Sequence, residues 1–425
     1  MDHRDNSPQE GHSMGTVRRT VTLTGAVLSL GLALVACSSN SGTTTTPSAS
    51  ASGSGSVAPT TAEVPQINAA DFTADFALMK QLTGLASQGK GMVGVLLPDT
   101  TTSTRYVQYD APYLKKAFEA AGLSSDMFKI DNANGSASTM QTQAEADINA
   151  GASVLLVDPL DPGSGAAIEA KAEAAGIKVI DYDRLVKGGP ADRYYVSFDN
   201  VQVGTLIGQG EVACLAAWKV ATPHILIMDG DPTDNNATLF AQGYNAVLDP
   251  LFKSGPAVKV GEPAGTWTPS VAATTFEQQF TAHPDINAVV TPNDDNANAV
   301  ISVLQKNNIQ PKTFPTTGQD ASLPGLQNIL KGYQCGTVYK PIYLEAQAAA
   351  ALALYLRAGQ TPPTTLVNST TADSVIGKDI QSVYTTPIWV TSENMAATVV
   401  KDGAVTVADL CAGTVADACT AAGIK

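Results

Sequence analysis

Residues 153–184 read SVLLVDPLDPGSGAAIEAKAEAAGIKVIDYDR. A β-branched apolar run (153–157) ends in Asp158-Pro159, and an alanine-rich stretch of helical character follows (165–175). A second apolar run (178–181) then ends in Tyr182-Asp183-Arg184. Two short strands separated by one helix form a βαβ unit, whose strands must be parallel. Both runs are apolar throughout instead of alternating, as strands covered on both faces are. The unit recurs outward in both directions. Strands are expected at 92–97, 127–130, 153–157, 178–181, 194–197, 225–228, 258–261, 288–291, 314–317 and 337–339. Helical patterns fill 111–121, 139–150, 165–175, 203–217, 236–252 and 341–357. So many units exceed one ordinary doubly wound sheet, so the expected fold is α/β with two doubly wound parallel-sheet lobes.

The chain has 425 residues, 25 Lys+Arg and 39 Asp+Glu, a net charge of −14. That length allows two domains, each with its own core. An acidic chain without a basic run is a poor nucleic-acid partner, since phosphate binding needs clustered Lys and Arg. The 4 histidines are His3, His12, His224 and His283, too few for a His-based zinc site or a Ser-His-Asp enzyme. Gly84-Leu85-Ala86-Ser87-Gln88-Gly89-Lys90 imitates a phosphate loop, but Gly91 stands where Ser or Thr should follow, and the stretch precedes a strand.

The first residues read as an address. Arg18 and Arg19 precede a mostly apolar run (21–36) that ends Leu34-Val35-Ala36-Cys37. The run is short for a membrane span, which needs about 20 residues. It resembles a bacterial lipoprotein signal, which implies cleavage before Cys37, a lipid on its sulfur and attachment to the outer face of the cell membrane. Met14 would begin a more ordinary signal than Met1 does. Ser, Thr, Gly, Ala and Pro dominate up to residue 65, the composition of a disordered tether about 30 Å in reach. In such an oxidising location Cys214, Cys335, Cys411 and Cys419 are expected to form two disulfides. Of three possible pairings, Cys411–Cys419 and Cys214–Cys335 are preferred.

Polar residues gather where the strands end: Asp99, Asp158, Asp183-Arg184, Asp199-Asn200, Asp229, Asn293-Asp294, Gln319-Asp320 and Lys340. In open parallel sheets ligands bind beyond the carboxyl ends of the strands. About half of these acidic and amide groups should be helix N-caps. Arg184 and Lys340 cannot cap an N-terminus, and Asp234-Asn235-Asn236 offers three polar residues where one would suffice. Planar Asp, Asn and Arg groups can grip the adjacent hydroxyls of a sugar, and an aromatic ring covers its C–H face. Trp267, in the loop Gly265-Thr266-Trp267-Thr268-Pro269, can do so; its alternative role is core packing.

At these residues the chain resembles the type I periplasmic sugar-binding proteins of ABC importers, the xylose-binding branch in particular. The shared segments, in order, are Tyr182-Asp183-Arg184, Tyr195-Val196-Ser197-Phe198-Asp199-Asn200, Asp234-Asn235-Asn236-Ala237, Pro292-Asn293-Asp294, Thr317-Gly318-Gln319-Asp320-Ala321, Thr337-Val338-Tyr339-Lys340-Pro341-Ile342 and Thr386-Pro387-Ile388. The resemblance implies two lobes joined by a three-crossing hinge: residues 89–198 plus 341–369, and 199–340 plus 370–425. It also implies an enclosed pentose or related aldopyranose, no catalysis and no cofactor. Carried over position by position, Arg184 holds ring or anomeric oxygens. Asp234, Asn236, Asn293, Asp320 and Lys340 grip hydroxyls, and Trp267 stacks on the sugar. Arg105 and Tyr106 stand for the family's Arg-Trp pair. Residues 99–110 match more loosely, with Thr100-Thr101-Thr102-Ser103 in place of a charged stretch, so arabinose, ribose, glucose and galactose stay beside xylose as guests. The expected partners are an ABC permease and, through the lipid, the membrane, with the protein itself a monomer. Two other readings carry the same chemistry: a sugar-loaded lipoprotein that informs a membrane sensor, and a glycoside-acting enzyme with paired carboxylates.

Overall fold

The computed structural model of the chain describes residues 64–425. The signal segment, Cys37 and nearly all of the expected tether lie outside the described residues. The strands are β1 (Met92–Leu97), β2 (Phe128–Asn132), β3 (Ala152–Val157), β4 (Lys178–Tyr182), β5 (Tyr194–Phe198) and β6 (His224–Ile227). They continue as β7 (Val258–Gly261), β8 (Ala288–Val290), β9 (Thr337–Tyr339), β10 (Ser369–Asp373), β11 (Lys378–Thr385) and β12 (Ile388–Val390). The principal helices are α1 (Thr83–Gln88), α2 (Ala111–Ala120), α3 (Ala137–Asn149), α4 (Pro162–Ala174) and α5 (Asn200–Ala217). After them come α6 (Asn235–Ser254), α7 (Pro269–Ala282), α8 (Asp294–Lys306), α9 (Leu323–Lys331) and α10 (Ile342–Arg357).

The first sheet has the order β10-β11-β5-β4-β3-β1-β2 and is parallel except for β10. Its central strands are buried on both faces, as their unbroken apolar runs require. Val93, Val95 and Leu97 meet Leu114 and Phe118 of α2 and the alanines of α10. Leu96, Leu155 and Val157 meet Met140 and Ala144 of α3 and Ile168 and Ala172 of α4. Each such side chain contributes about 1.5–3 kcal/mol by leaving water. The second sheet begins β7-β6-β8. Residues 314–317, expected as a strand, contribute only a bridge from Thr316 to Val289, because Pro315 has no N–H for a ladder. A second bridge, Gln319 to Val338, carries the layer on to the antiparallel pair β9–β12.

Three segments cross between the lobes, at 198–200, 339–342 and 385–388. The first and third lie side by side, with the Asp199 N–H donating to the Thr385 carbonyl at 3.3 Å. The third crossing corrects the expected boundary. Residues 370–385 belong to the first sheet, where β11 runs parallel to β5, and only 388–425 join the second lobe. β10 and β11 escaped the sequence reading because their burial alternates, β10 being the edge strand and β11 its neighbour. Residues 67–86, which had no assigned lobe, insert Phe72, Phe76, Met79 and Leu82 into the first core.

The structure pairs Cys214 with Cys335 and Cys411 with Cys419. Helices α5 and α6 touch backbone to backbone: a Cβ on Gly204 would sit 2.0 Å from the Phe240 carbonyl oxygen, and one on Gly243 would sit 2.3 Å from that of Val201. Glycine is needed at both positions. The close crossing brings the starts of the two helices together, so Asn200 Nδ2 donates to Asn236 Oδ1 at 2.9 Å.

Candidate functional site

A cleft of about 290 Å³, part of it open to solvent, lies between the lobes. Arg105, Tyr106, Arg184, Asp234, Asn236, Trp267, Asn293, Asp320 and Lys340, the nine residues singled out from the sequence, all line it. Four others join them: Ser103, Asp183, Phe240 and Gln319.

Helix starts place several of these groups. Asp234 Oδ1 accepts the Asn236 N–H at the start of α6 (2.9 Å), and Asn293 Oδ1 accepts the Asn296 N–H at the start of α8 (2.9 Å). Capping and cleft lining are therefore one role at these positions. Asp183 is the hub the sequence reading passed over, taking only Arg184 from the same motif. Its φ of 57° turns the chain back after β4, a conformation that Asp tolerates better than most residues. Its carbonyl oxygen accepts from the Ser197 hydroxyl at 2.9 Å and from Asn236 Nδ2, across the lobes, at 3.0 Å. Its carboxylate accepts from Arg105 Nη1 and from the Tyr106 hydroxyl, both at 2.8 Å.

Arg105 is held from three sides. Besides Asp183 it reaches Asp110 twice, at 2.6 and 3.0 Å, and Glu345 at 2.9 Å. The Tyr106 ring lies beneath two guanidinium groups, 5.2 Å from Arg105 and 5.6 Å from Arg184. Arg184 Nε is 3.1 Å from Asp234 Oδ2, off the line a hydrogen bond needs, so the contact is an ion pair between lobes. Trp267 Nε1 donates to the same Asp234 oxygen at 3.0 Å. Its indole rests on Gly230, where a Cβ would fall 2.3 Å from the ring. Lys340, on the second crossing, lies 3.6 Å from both Asp183 and Asp320.

Carboxyls outnumber cations here. Burial alone would raise Asp183, but Arg105, Lys340, Arg184 and the Tyr106 hydroxyl outweigh it and hold this carboxyl well below the usual range. Burial wins at the others. Asp158 and Asp234 are raised against the pull of Arg184, and Asp320 against that of Lys340. Glu345 is pushed up to about 8 despite Arg105. Asp320 Oδ1 and Gln319 Oε1 have no hydrogen-bond partner among the described residues, and neither does either oxygen of Asp158. The cleft thus presents preset donors, free acceptors and three aromatic rings, Tyr106, Trp267 and Phe240, at the scale of one small polyhydroxylated molecule.

Residues 93–361 match the model of a periplasmic binding protein domain. The chain is 36% identical to the D-xylose-binding periplasmic protein of Escherichia coli over 76% of its length and 93% of that protein. It is 30% identical to the multiple sugar-binding periplasmic receptor ChvE of Rhizobium radiobacter, covering 74% of this chain and 90% of that one. Among solved structures, the carbohydrate transporter solute-binding protein of Chloroflexus aurantiacus in complex with D-glucose superposes with a TM-score of 0.66 at 27% identity, covering 75% of this chain and 98% of that one. These relatives are substrate-binding proteins and not enzymes. Two α/β lobes, three crossings and a polar cleft between them place the chain accordingly: it belongs to the periplasmic binding protein family, among the sugar-binding proteins of ABC importers.

Proposed function

We propose that the protein is an extracytoplasmic lipoprotein that captures D-xylose or a closely related aldopyranose and delivers it to an ABC permease. The lipid on Cys37 holds it at the outer face of the membrane, and it works as a monomer. The observation that carries this reading is the convergence of Arg184 from one lobe with Asp234, Asn293 and Asp320 from the other on a single small cleft. A hydroxylated ring bridging both lobes stabilises the closed form, so capture is a population shift from open to closed. Each buried polar group left unpaired costs about 1–3 kcal/mol, which lets several such groups together reject a sugar lacking one hydroxyl. The relative that binds D-xylose supports the sugar class.

The test is a calorimetric or Trp-fluorescence screen of pentoses and hexoses. Saturable binding of xylose or a close relative is expected, with Asp320→Ala and Arg184→Ala each weakening it at least tenfold, about 1.4 kcal/mol or more. Wild-type affinity in both variants would overturn the assignment of these residues. Loss of the sugar's uptake when Cys37→Ala is expressed in cells tests the anchor, and loss on deletion of the permease separates transport from sensing.

A further inference from the structure

The threonine-rich segment before Arg105 is a built turn. Asp99 Oδ1 accepts from the Thr102 N–H at 2.9 Å and from the Thr101 N–H, and Asp99 Oδ2 accepts from the Thr102 hydroxyl at 2.7 Å. Asn132 Nδ2 secures the Asp99 carbonyl from the neighbouring strand at 2.8 Å. Hydroxyl residues are therefore wound around one buried carboxylate. The turn ends at Thr104, whose N–H crosses to the other lobe and donates to Asp295 Oδ2 at 3.2 Å, with its hydroxyl 3.5 Å from the same oxygen.

The position of this contact sets it apart from the bonds that join the lobes inside the cleft, and from the bond of the Tyr343 hydroxyl to Asp402 Oδ2 (3.2 Å), which lies just past the second crossing. Thr104 lies between the cleft residues Ser103 and Arg105, and Asp295 is the second residue of α8, two after the cleft residue Asn293. Neither Thr104 nor Asp295 lines the cleft. In contrast, Arg184, Asp234 and Asn236, which also join the lobes, are groups a guest would engage. An Asp295–Thr104 bond can form only when the lobes approach, and it costs the guest no contact.

We propose that Asp295 is a positioning residue, a latch that holds the Thr104 amide across the mouth of the cleft and so sets how long the closed form lasts. It acts on release more than on capture, because the encounter with the sugar precedes closure. The effect on release rests on the sugar-binding reading; the effect on the empty protein does not.

Asp295→Ala and Asp295→Asn, in the full chain, test this. Without sugar, the Thr104 amide should exchange its hydrogen about three- to tenfold faster in the Ala variant, the range expected for one hydrogen bond. The Asn variant, which keeps a carbonyl acceptor, should stay near wild type. With xylose in stopped-flow Trp fluorescence, the Ala variant should release sugar faster by the same factor while its association rate stays within about twofold. A merely structural role for Asp295 would lower the melting temperature of the variants without this split between the two rates. Unchanged Thr104 exchange in the Ala variant overturns the latch, and so does unchanged release where sugar binds. Failure of wild type to bind any sugar overturns the proposed function instead, and the exchange measurement then decides the latch by itself. Should the Ala variant not fold, Asp295→Ser, which cannot reach Thr104, is read in its place against Asn.

Discussion

Glu211, in the middle of α5, is fully buried, and neither of its carboxyl oxygens has a hydrogen-bond partner among the described residues. Burial by itself pushes the group up to about 8 from an ordinary value of 4.5. The consequence has a definite sign. Between pH 4.5 and 8 the unfolded chain gives up this proton while the folded chain keeps it, so stability falls as pH rises through that window and levels off above it. Below 4.5 both states hold the proton and the group is silent. Glu211→Gln keeps the shape and cannot ionise. The variant should therefore gain on wild type from pH 5 to 8.5, by a few kcal/mol and at most about 5. Thermal melts across that range measure the gap, and a gap that does not change with pH would count against the reading. Asp183 has the opposite sign. Its carboxyl is held below the ordinary 3.8 by Arg105 and its neighbours against the effect of burial, so its stabilisation is present at neutral pH and is lost only in strong acid. Two buried carboxyls thus differ entirely through their partners.

At the scale of elements, the strands that could be read from the sequence were short apolar runs between helical stretches; most are buried on both faces, while the edge strands β2 and β7 are half-exposed. β1, β7 and β9 lie where their apolar runs placed them, and β3, β4, β5 and β6 agree to within a residue or so. β10, β11 and β12 could not be read, because partly exposed strands need no unbroken apolar run. Helix α8 was missed because its first turn, Asp294-Asp295-Asn296, reads as loop, and α7 and α9 because the proline in each first turn reads as a break. The cleft followed the same division. Arg184 and Lys340 stood out because a cation has no business at a helix start. Asp183 did not, because its role comes from a backbone turn that composition does not show, and Gln319, in a β-bridge to Val338, read as an ordinary strand-end residue. Phe240 looked like any helix core residue. The disulfides connect elements, and their loops differ in size. Cys214–Cys335 spans 121 residues and fastens α5 to the start of β9, whereas Cys411–Cys419 spans 8 within the C-terminal segment. By the entropy of loop closure the first is worth about 5 kcal/mol and the second about 2.5. Replacing Cys214 and Cys335 together by Ala should lower stability to chemical denaturation by about 2 kcal/mol more than the same change at Cys411 and Cys419. Equal losses would show that native contacts, and not the size of the closed loop, set the contribution.

For the molecule as a whole, each lobe has its own apolar core, and the two are joined by three crossings, by polar contacts across the cleft, and by Tyr109 and Tyr113 of the first lobe, which pack against the second core. Because each lobe folds around its own core, the empty protein can lose one lobe before the other. In the proposed function a guest is held by Arg184 from one side and by Asp320 from the other, and this changes the melt, because such a guest binds only when both lobes are folded. By mass action, sugar at a hundred times its dissociation constant adds about 2.7 kcal/mol to stability. An unfolding entropy of about 2.1 cal/mol/K per residue converts that into a rise in melting temperature of about 3–7 °C, the larger figure applying if a single lobe limits the melt. Scanning calorimetry should show two overlapping transitions without sugar merging toward one as xylose is added. Asp320→Ala should keep the two-step melt of the empty protein and lose the shift at the same sugar concentration. A shift of full size in that variant would mean that the sugar binds one lobe only, and closure would then need a cause other than the guest.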